Sequence, residues 1–281
     1  MEGLLKKKVI MVYSLSRGGS TFLAFMLANG PRAIAPGDIW ALFYPENEDQ
    51  QRTGCVCGDP TCLLWQRARE AGVEGFYQML FDEGYELVVD SAKTLFWYEQ
   101  QKRYLVGVEN RDVVIFKSPL EHAYSFWKRI GDSALGTYND YYTAALALAE
   151  TPVVIEYADL VRYPASALQA LCERLGVDYR PGKECYWEKK DWHLWGGSNT
   201  AVIHFFEKGS KRYEEIAGRI RMREDSNPAV LQHHREIYYS NDSTRLPEEI
   251  KRVVQGDQMT QELYQRLQGM KLRIGGQDSE A

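Results

Sequence analysis

The chain predicts an α/β fold with a central parallel sheet flanked by helices on both faces, and three observations carry that reading. Four short runs, KVIMVYSL, ELVVD, DVVIFK and PVVIEY, are rich in β-branched residues and almost unbroken by polar ones, as strands buried on both sides are. Amphipathic stretches separate them, among them Val73 to Phe81 and Leu120 to Ile130. Strand and helix signals also alternate, and a β-α-β series folds into a parallel sheet with covering helices.

The first element is a strand. Its apolar core, Val9 to Tyr13, follows three lysines and invites comparison with a signal peptide, but it is short and runs into a glycine-rich turn. With no export signal, a cytoplasmic protein is expected. No apolar run approaches the roughly 20 residues that cross a bilayer, so no membrane association is expected. FLAFMLANG then reads as the first helix. After PVVIEY, Pro164 suits a first helical turn, Leu168, Leu171, Cys172 and Leu175 share one face, and Gly176 fits the stop. From about Arg180 the pattern loosens into a Trp- and Tyr-rich loop followed by two or three helices. No linker interrupts the 281 residues, so residues 1–272 are expected to form a single domain, with 273–281 a polar tail. A net charge of −5 argues against a nucleic-acid surface while leaving room for a local basic pocket.

The five cysteines are too few and too uneven for a disulfide framework. Cys55, Cys57 and Cys62 cluster in TGCVCGDPTCLLW, but a metal would want a fourth ligand and no histidine lies nearby in sequence. A compact structural loop without metal is the expectation.

Ligands of open parallel sheets bind beyond the carboxyl ends of the strands. There the first strand runs into Ser14-Leu15-Ser16-Arg17-Gly18-Gly19-Ser20-Thr21-Phe22. Two glycines let backbone N–H groups converge, the next helix points its positive end at the same spot, and Arg17, Ser20 and Thr21 add charge and hydroxyls. These are the parts of an anion cradle. It is no Walker loop, because the Gly-Lys-Ser/Thr string is missing.

At this point the chain resembles the sulfotransferases that use 3′-phosphoadenosine 5′-phosphosulfate (PAPS), which have a P-loop-like fold; the match is to their bacterial type. Arg17-Gly18-Gly19-Ser20-Thr21 is similar to their 5′-phosphosulfate loop, with Gly18 where Ser is usual. DVVIFKSPLEHAYSFWKR resembles their 3′-phosphate segment, with Lys117 at the strand end in place of Arg and Ser125 eight residues on. Pro36-Gly37-Asp38, the Cys-x-Cys-Gly and Cys-x-x-Trp loop, VVDSAK, EYADLVRYP and HLWGGSNTA follow in family order, so the likeness spans roughly residues 8 to 200.

The resemblance implies a metal-independent, in-line transfer of a sulfuryl group from PAPS to a hydroxyl, amine or guanidine of a small-molecule acceptor. It implies binding roles for Arg17, Gly18, Gly19, Ser20, Thr21, Phe22 (against adenine), Lys117, Ser125, Ser198 and Asn199. Asp38 is the expected general base, with Asp90 as second choice and His122 as a third. Lys93 is expected at the bridging oxygen. Tyr138, Tyr141, Tyr142, Tyr186, Trp187, Trp192 and Trp195 are expected to wall the cleft. The composition is compatible with a homodimer. A P-loop kinase-like phosphotransferase and a non-catalytic nucleotide-binding protein are the alternatives.

Overall fold

Five parallel strands run side by side in the order β2-β3-β1-β4-β5, where β1 is Lys8–Tyr13, β2 Ala33–Ile34, β3 Leu87–Asp90, β4 Glu109–Phe116 and β5 Val153–Glu156. The computed structural model describes residues 7–45, 54–223, 227–239 and 243–275. All four strands expected from the apolar runs are present. The added strand, β2, is only two residues long and forms the edge beside β3, too brief for a periodic signal.

Alternation along the strands divides the interior in two. Ile10 and Val12 of β1, with Val113 and Ile115 of β4, face a core built with α1 (Ser20–Leu27) and α8 (Pro164–Leu175). Val9, Met11 and Tyr13, with Val114 and Phe116, face a second core. That core is built with α3 (Leu63–Asp82), α4 (Leu95–Lys102), α6 (Leu135–Leu148) and α12 (Gln258–Met270). A strand flanked this way has no polar face, which is why the four runs read as unbroken apolar segments. This is the expected α/β architecture with both faces of the sheet covered.

The remaining helices are α2 (Trp40–Phe43), α5 (Pro119–Ile130), α7 (Tyr157–Arg162), α9 (Asn199–Val202), α10 (Lys211–Met222) and α11 (Glu248–Gly256). Helix α3 starts ten residues before the expected Val73, and its backbone breaks at Gly72, after which the amphipathic stretch begins. Helix α8 starts at Pro164 and stops at the left-handed Gly176, as its sequence signals require. Leu272 donates from its backbone to Val154 of β5 at 2.7 Å and Ile274 is buried, so the chain packs on the sheet to that point. The rest of the expected polar tail, 276–281, lies outside the described residues. Among the described residues no helix is long and apolar enough to cross a membrane.

Candidate functional site

At the carboxyl edge of the sheet, the turns after the strands close around a cavity of about 350 Å³. Its lining takes Ser16 and Arg17 from the turn after β1, Asp38 from beyond β2, Lys93 from beyond β3, Lys117 from the end of β4 and Tyr157 from the end of β5. A parallel sheet aims every one of these turns at the same edge, so residues distant in sequence become neighbours.

The turn after β1 is shaped by three backbone requirements. Arg17 takes a left-handed φ of 71° and Gly19 one of 101°. A Cβ on Gly19 would stand 2.3 Å from the ring of Tyr157, so only glycine lets α1 start there. Gly18 faces inward: its N–H donates to Leu15 O at 3.0 Å, and a Cβ would meet Ser14 Oγ at 2.2 Å. Gly18 therefore holds the turn and does not line the cavity, correcting its expected place among the ligand-binding groups. Gly19, Ser20, Thr21 and Phe22 do line it. The N-cap residue Gly19 has no side chain to cap α1, and the first N–H groups of a helix have no partner within it. The Ser20 hydroxyl is buried with no hydrogen-bond partner among the described residues. Phe22 is half-buried, edge-on to Tyr157 and Tyr186.

A second basic group comes from the turn between β4 and α5. Ser118 caps this helix, its Oγ accepting from the Glu121 N–H and donating to Glu121 Oε2 at 3.0 Å, while Pro119 opens the first turn. Lys117 Nζ stands 4.5 Å above the Tyr157 ring, and Ser125 donates to the Glu121 carbonyl at 3.0 Å. Both line the cavity. So do Glu121, Tyr124, Lys128 and Arg129, which the sequence reading did not single out. Their signal was available: steps of three and four along α5 from Ser125 lead to Glu121, Lys128 and Arg129.

Asp38 and Lys93 meet at the cavity, Lys93 Nζ lying 2.6 Å from Asp38 Oδ1. The Lys93 backbone is left-handed, φ 68°, and its N–H donates to the Tyr98 hydroxyl, which in turn donates to Val12 O at 2.8 Å. Tyr98 thus ties the turn carrying Lys93 to the strand that carries the cradle. Asp90 is elsewhere. Fully buried, it accepts from Tyr77 Oη (2.6 Å), Trp97 Nε1 (2.7 Å) and Ala92 N (2.8 Å). Burial pushes its carboxyl up to about 6 against the pull of these donors. Asp90 does not reach the cavity; it holds the turn that presents Lys93, and its expected role as a base is corrected.

His122 is also corrected. Only 1% exposed, it stacks on Phe126 at 4.7 Å and neither ring nitrogen has a partner among the described residues. Burial, then the neighbouring Lys117 and Arg17 charges, pull its pKa down to about 3, so it is a neutral packing group. The seven aromatics expected to wall the cleft lie inside the protein instead. Three of them anchor strand ends: Tyr138 donates to Lys117 O (3.0 Å), Tyr142 to Ile115 O (3.1 Å), and Tyr141 accepts from Ser14 N (2.9 Å). Tyr186, Trp187, Trp192 and Trp195 are buried in the two cores. Among the described residues the rings at the cavity are Phe22, Tyr124, Tyr157, Tyr238 and the imidazole of His204. Ser198 and Asn199 also line it.

No protein-family model and no curated protein matches the chain. Among solved structures it is similar to the sulfotransferase domain of the Synechococcus PCC 7002 olefin synthase, with TM-score 0.54, 16% identity, and coverage of 94% of this chain and 95% of that one. It is also similar to the sulfotransferase domain from the curacin biosynthetic pathway, with TM-score 0.57, 18% identity and coverage of 94% and 98%. The chain has the fold of these sulfotransferase domains.

One further cluster sits on this sulfotransferase fold. His193 lies 131 residues beyond Cys62, yet its Nδ1 is 3.3 Å from Cys62 Sγ and 3.6 Å from Cys55 Sγ. With Cys57, the four potential ligand atoms all fall within 4.8 Å of one another. The fourth ligand judged missing from the sequence is therefore present in space, supplied by the same segment that carries Ser198 and Asn199.

Proposed function

We propose that the protein is a sulfotransferase that moves a sulfuryl group from PAPS to a hydroxyl or amine of a small-molecule acceptor. One observation carries this reading. A single cavity joins the start of α1, where the buried Ser20 hydroxyl has no hydrogen-bond partner among the described residues, to a second basic group, Lys117, at the end of β4. Such a site suits a ligand anionic at two ends, as a nucleotide with a 5′-phosphosulfate and a 3′-phosphate is. The fold likeness to sulfotransferase domains agrees with it.

In this reading the α1 start, Arg17, Ser20 and Thr21 hold the 5′ end, Lys117 and Ser125 the 3′-phosphate, and Phe22 packs on the base. When bound, PAPS supplies the activated sulfuryl group. The Asp38 carboxylate takes the proton that the acceptor loses. Lys93 Nζ, already in contact with Asp38, donates to the oxygen on which negative charge develops, and Arg17 adds to that stabilisation. Uncapped N–H groups and fixed cations at the developing charge need no reorganisation as the reaction proceeds.

Thermal unfolding with adenosine 3′,5′-bisphosphate, with magnesium-ATP and with buffer alone tests the proposal. The bisphosphate is expected to stabilise most, by roughly 2.7 kcal/mol at a hundredfold excess over its Kd. Preferential stabilisation by magnesium-ATP would replace the proposal with a phosphotransferase.

A further inference from the structure

The structure assigns a zinc site to Cys55, Cys57, Cys62 and His193, placed where it staples the cysteine loop to the 193–195 segment from which the turn carrying Asp38 hangs. Metal binding here is independent of the transferase reading. A tetrahedral zinc ion with bonds of about 2.3 Å to sulfur and about 2.0–2.1 Å to nitrogen sets neighbouring ligand atoms roughly 3.5–3.8 Å apart. The separations of 3.3 and 3.6 Å, inside a group spanning 4.8 Å, need only small adjustments to reach that geometry. Three thiolates and an imidazole form a soft donor set that favours zinc over magnesium or calcium. Four protein ligands also leave no open position, the mark of a structural site.

The surroundings give the ion its task. Cys62 immediately precedes α3 and Cys55 bridges to Trp195, whose ring lies 6.2 Å from Trp65. Val56 N–H donates to Leu194 O at 3.3 Å, Trp195 N–H to Pro36 O at 2.9 Å and Asp38 N–H to Trp195 O at 2.9 Å. The cysteine loop, the 193–195 segment and the 36–38 turn are thus laced in series. A metal across 55–62 and 193 closes the open end of that lacing, and Asp38 hangs from the other. The ligands come from two segments far apart in sequence, so the ion cross-links the fold.

The experiment uses the whole chain, purified reduced from zinc-supplemented cells, with metal content measured by mass spectrometry. About one zinc per chain is expected. Exchange into cobalt should give the thiolate charge-transfer and tetrahedral ligand-field bands. Cys62→Ser should lose the ion, though Cys62 is buried and this variant risks misfolding. Cys57 is exposed, so Cys57→Ser leaves the packing alone and should weaken zinc retention roughly tenfold or more. Removing the metal should also speed amide exchange at 36–38, 55–62 and 193–195. Little zinc, with no thiolate–cobalt band in fully reduced protein, would overturn the assignment, as would zinc that both cysteine variants retain unchanged.

Discussion

Arg17 and Lys93 are both non-glycine residues held at left-handed φ, 71° and 68°. Such a backbone costs of order 1–3 kcal/mol and persists where surrounding structure over-determines it. At both positions it turns a long cation toward the same cavity. Arg17→Ala should leave the fold intact and lower turnover by about 10²–10³, the usual loss of one transition-state donor. Circular dichroism and single-turnover rates check the two halves of that statement. His122 supplies the opposite case. Its pKa of about 3 lies below the ordinary 6.5, so the folded protein binds fewer protons than the unfolded chain between those values. Its contribution is fully present above pH 6.5 and falls by about 1.4 kcal/mol per unit as pH drops toward 3. His122→Phe replaces a ring whose nitrogens bond to nothing described, and should flatten acid unfolding between pH 6.5 and 4 without changing turnover. Lost turnover would return His122 to the chemistry. At this scale the cavity positions of Arg17, Ser20 and Thr21 could be read from a local strand-turn-helix pattern, and those of Lys117 and Ser125 from the family resemblance. Asp90 and His122 could not be sorted, since a residue's type says nothing about which way its side chain faces.

Among the elements, α6 has the least obvious part. Its apolar pattern marks it as a core helix, yet Tyr138, Tyr141 and Tyr142 use their hydroxyls to pin the ends of β1 and β4. Tyr138→Phe leaves the Lys117 carbonyl without this partner and should cost about 0.5–1.5 kcal/mol of stability. The larger expected effect is weaker binding of nucleotides carrying a 3′-phosphate, measured by calorimetry. The turn after β3 makes a similar demand. In Asp90→Asn, the amide NH₂ would have to face one of three donors now serving Asp90, from Tyr77, Trp97 and Ala92. A loss of roughly 1–3 kcal/mol in chemical denaturation is expected, with turnover reduced only through the placement of Lys93. These roles were illegible in sequence because they rest on side-chain hydrogen bonds between residues of different elements.

For the whole molecule, the sheet does two jobs: its faces carry two separate cores, and its carboxyl edge gathers the turns into one cavity. The architecture was legible because strands covered on both faces must be apolar throughout. The joining of Cys55, Cys57 and Cys62 to His193 was not, because that contact crosses 131 residues and leaves no local period. In the proposed function the cavity reads both anionic ends of one nucleotide. Calorimetric titration of the wild-type protein and Lys117→Ala with adenosine 3′,5′-bisphosphate and with adenosine 5′-monophosphate tests it most directly. The wild type should bind the bisphosphate more tightly, and Lys117→Ala should remove most of that preference while changing monophosphate affinity little. Equal affinity of the wild type for both nucleotides, or equal losses for both in the variant, would contradict it.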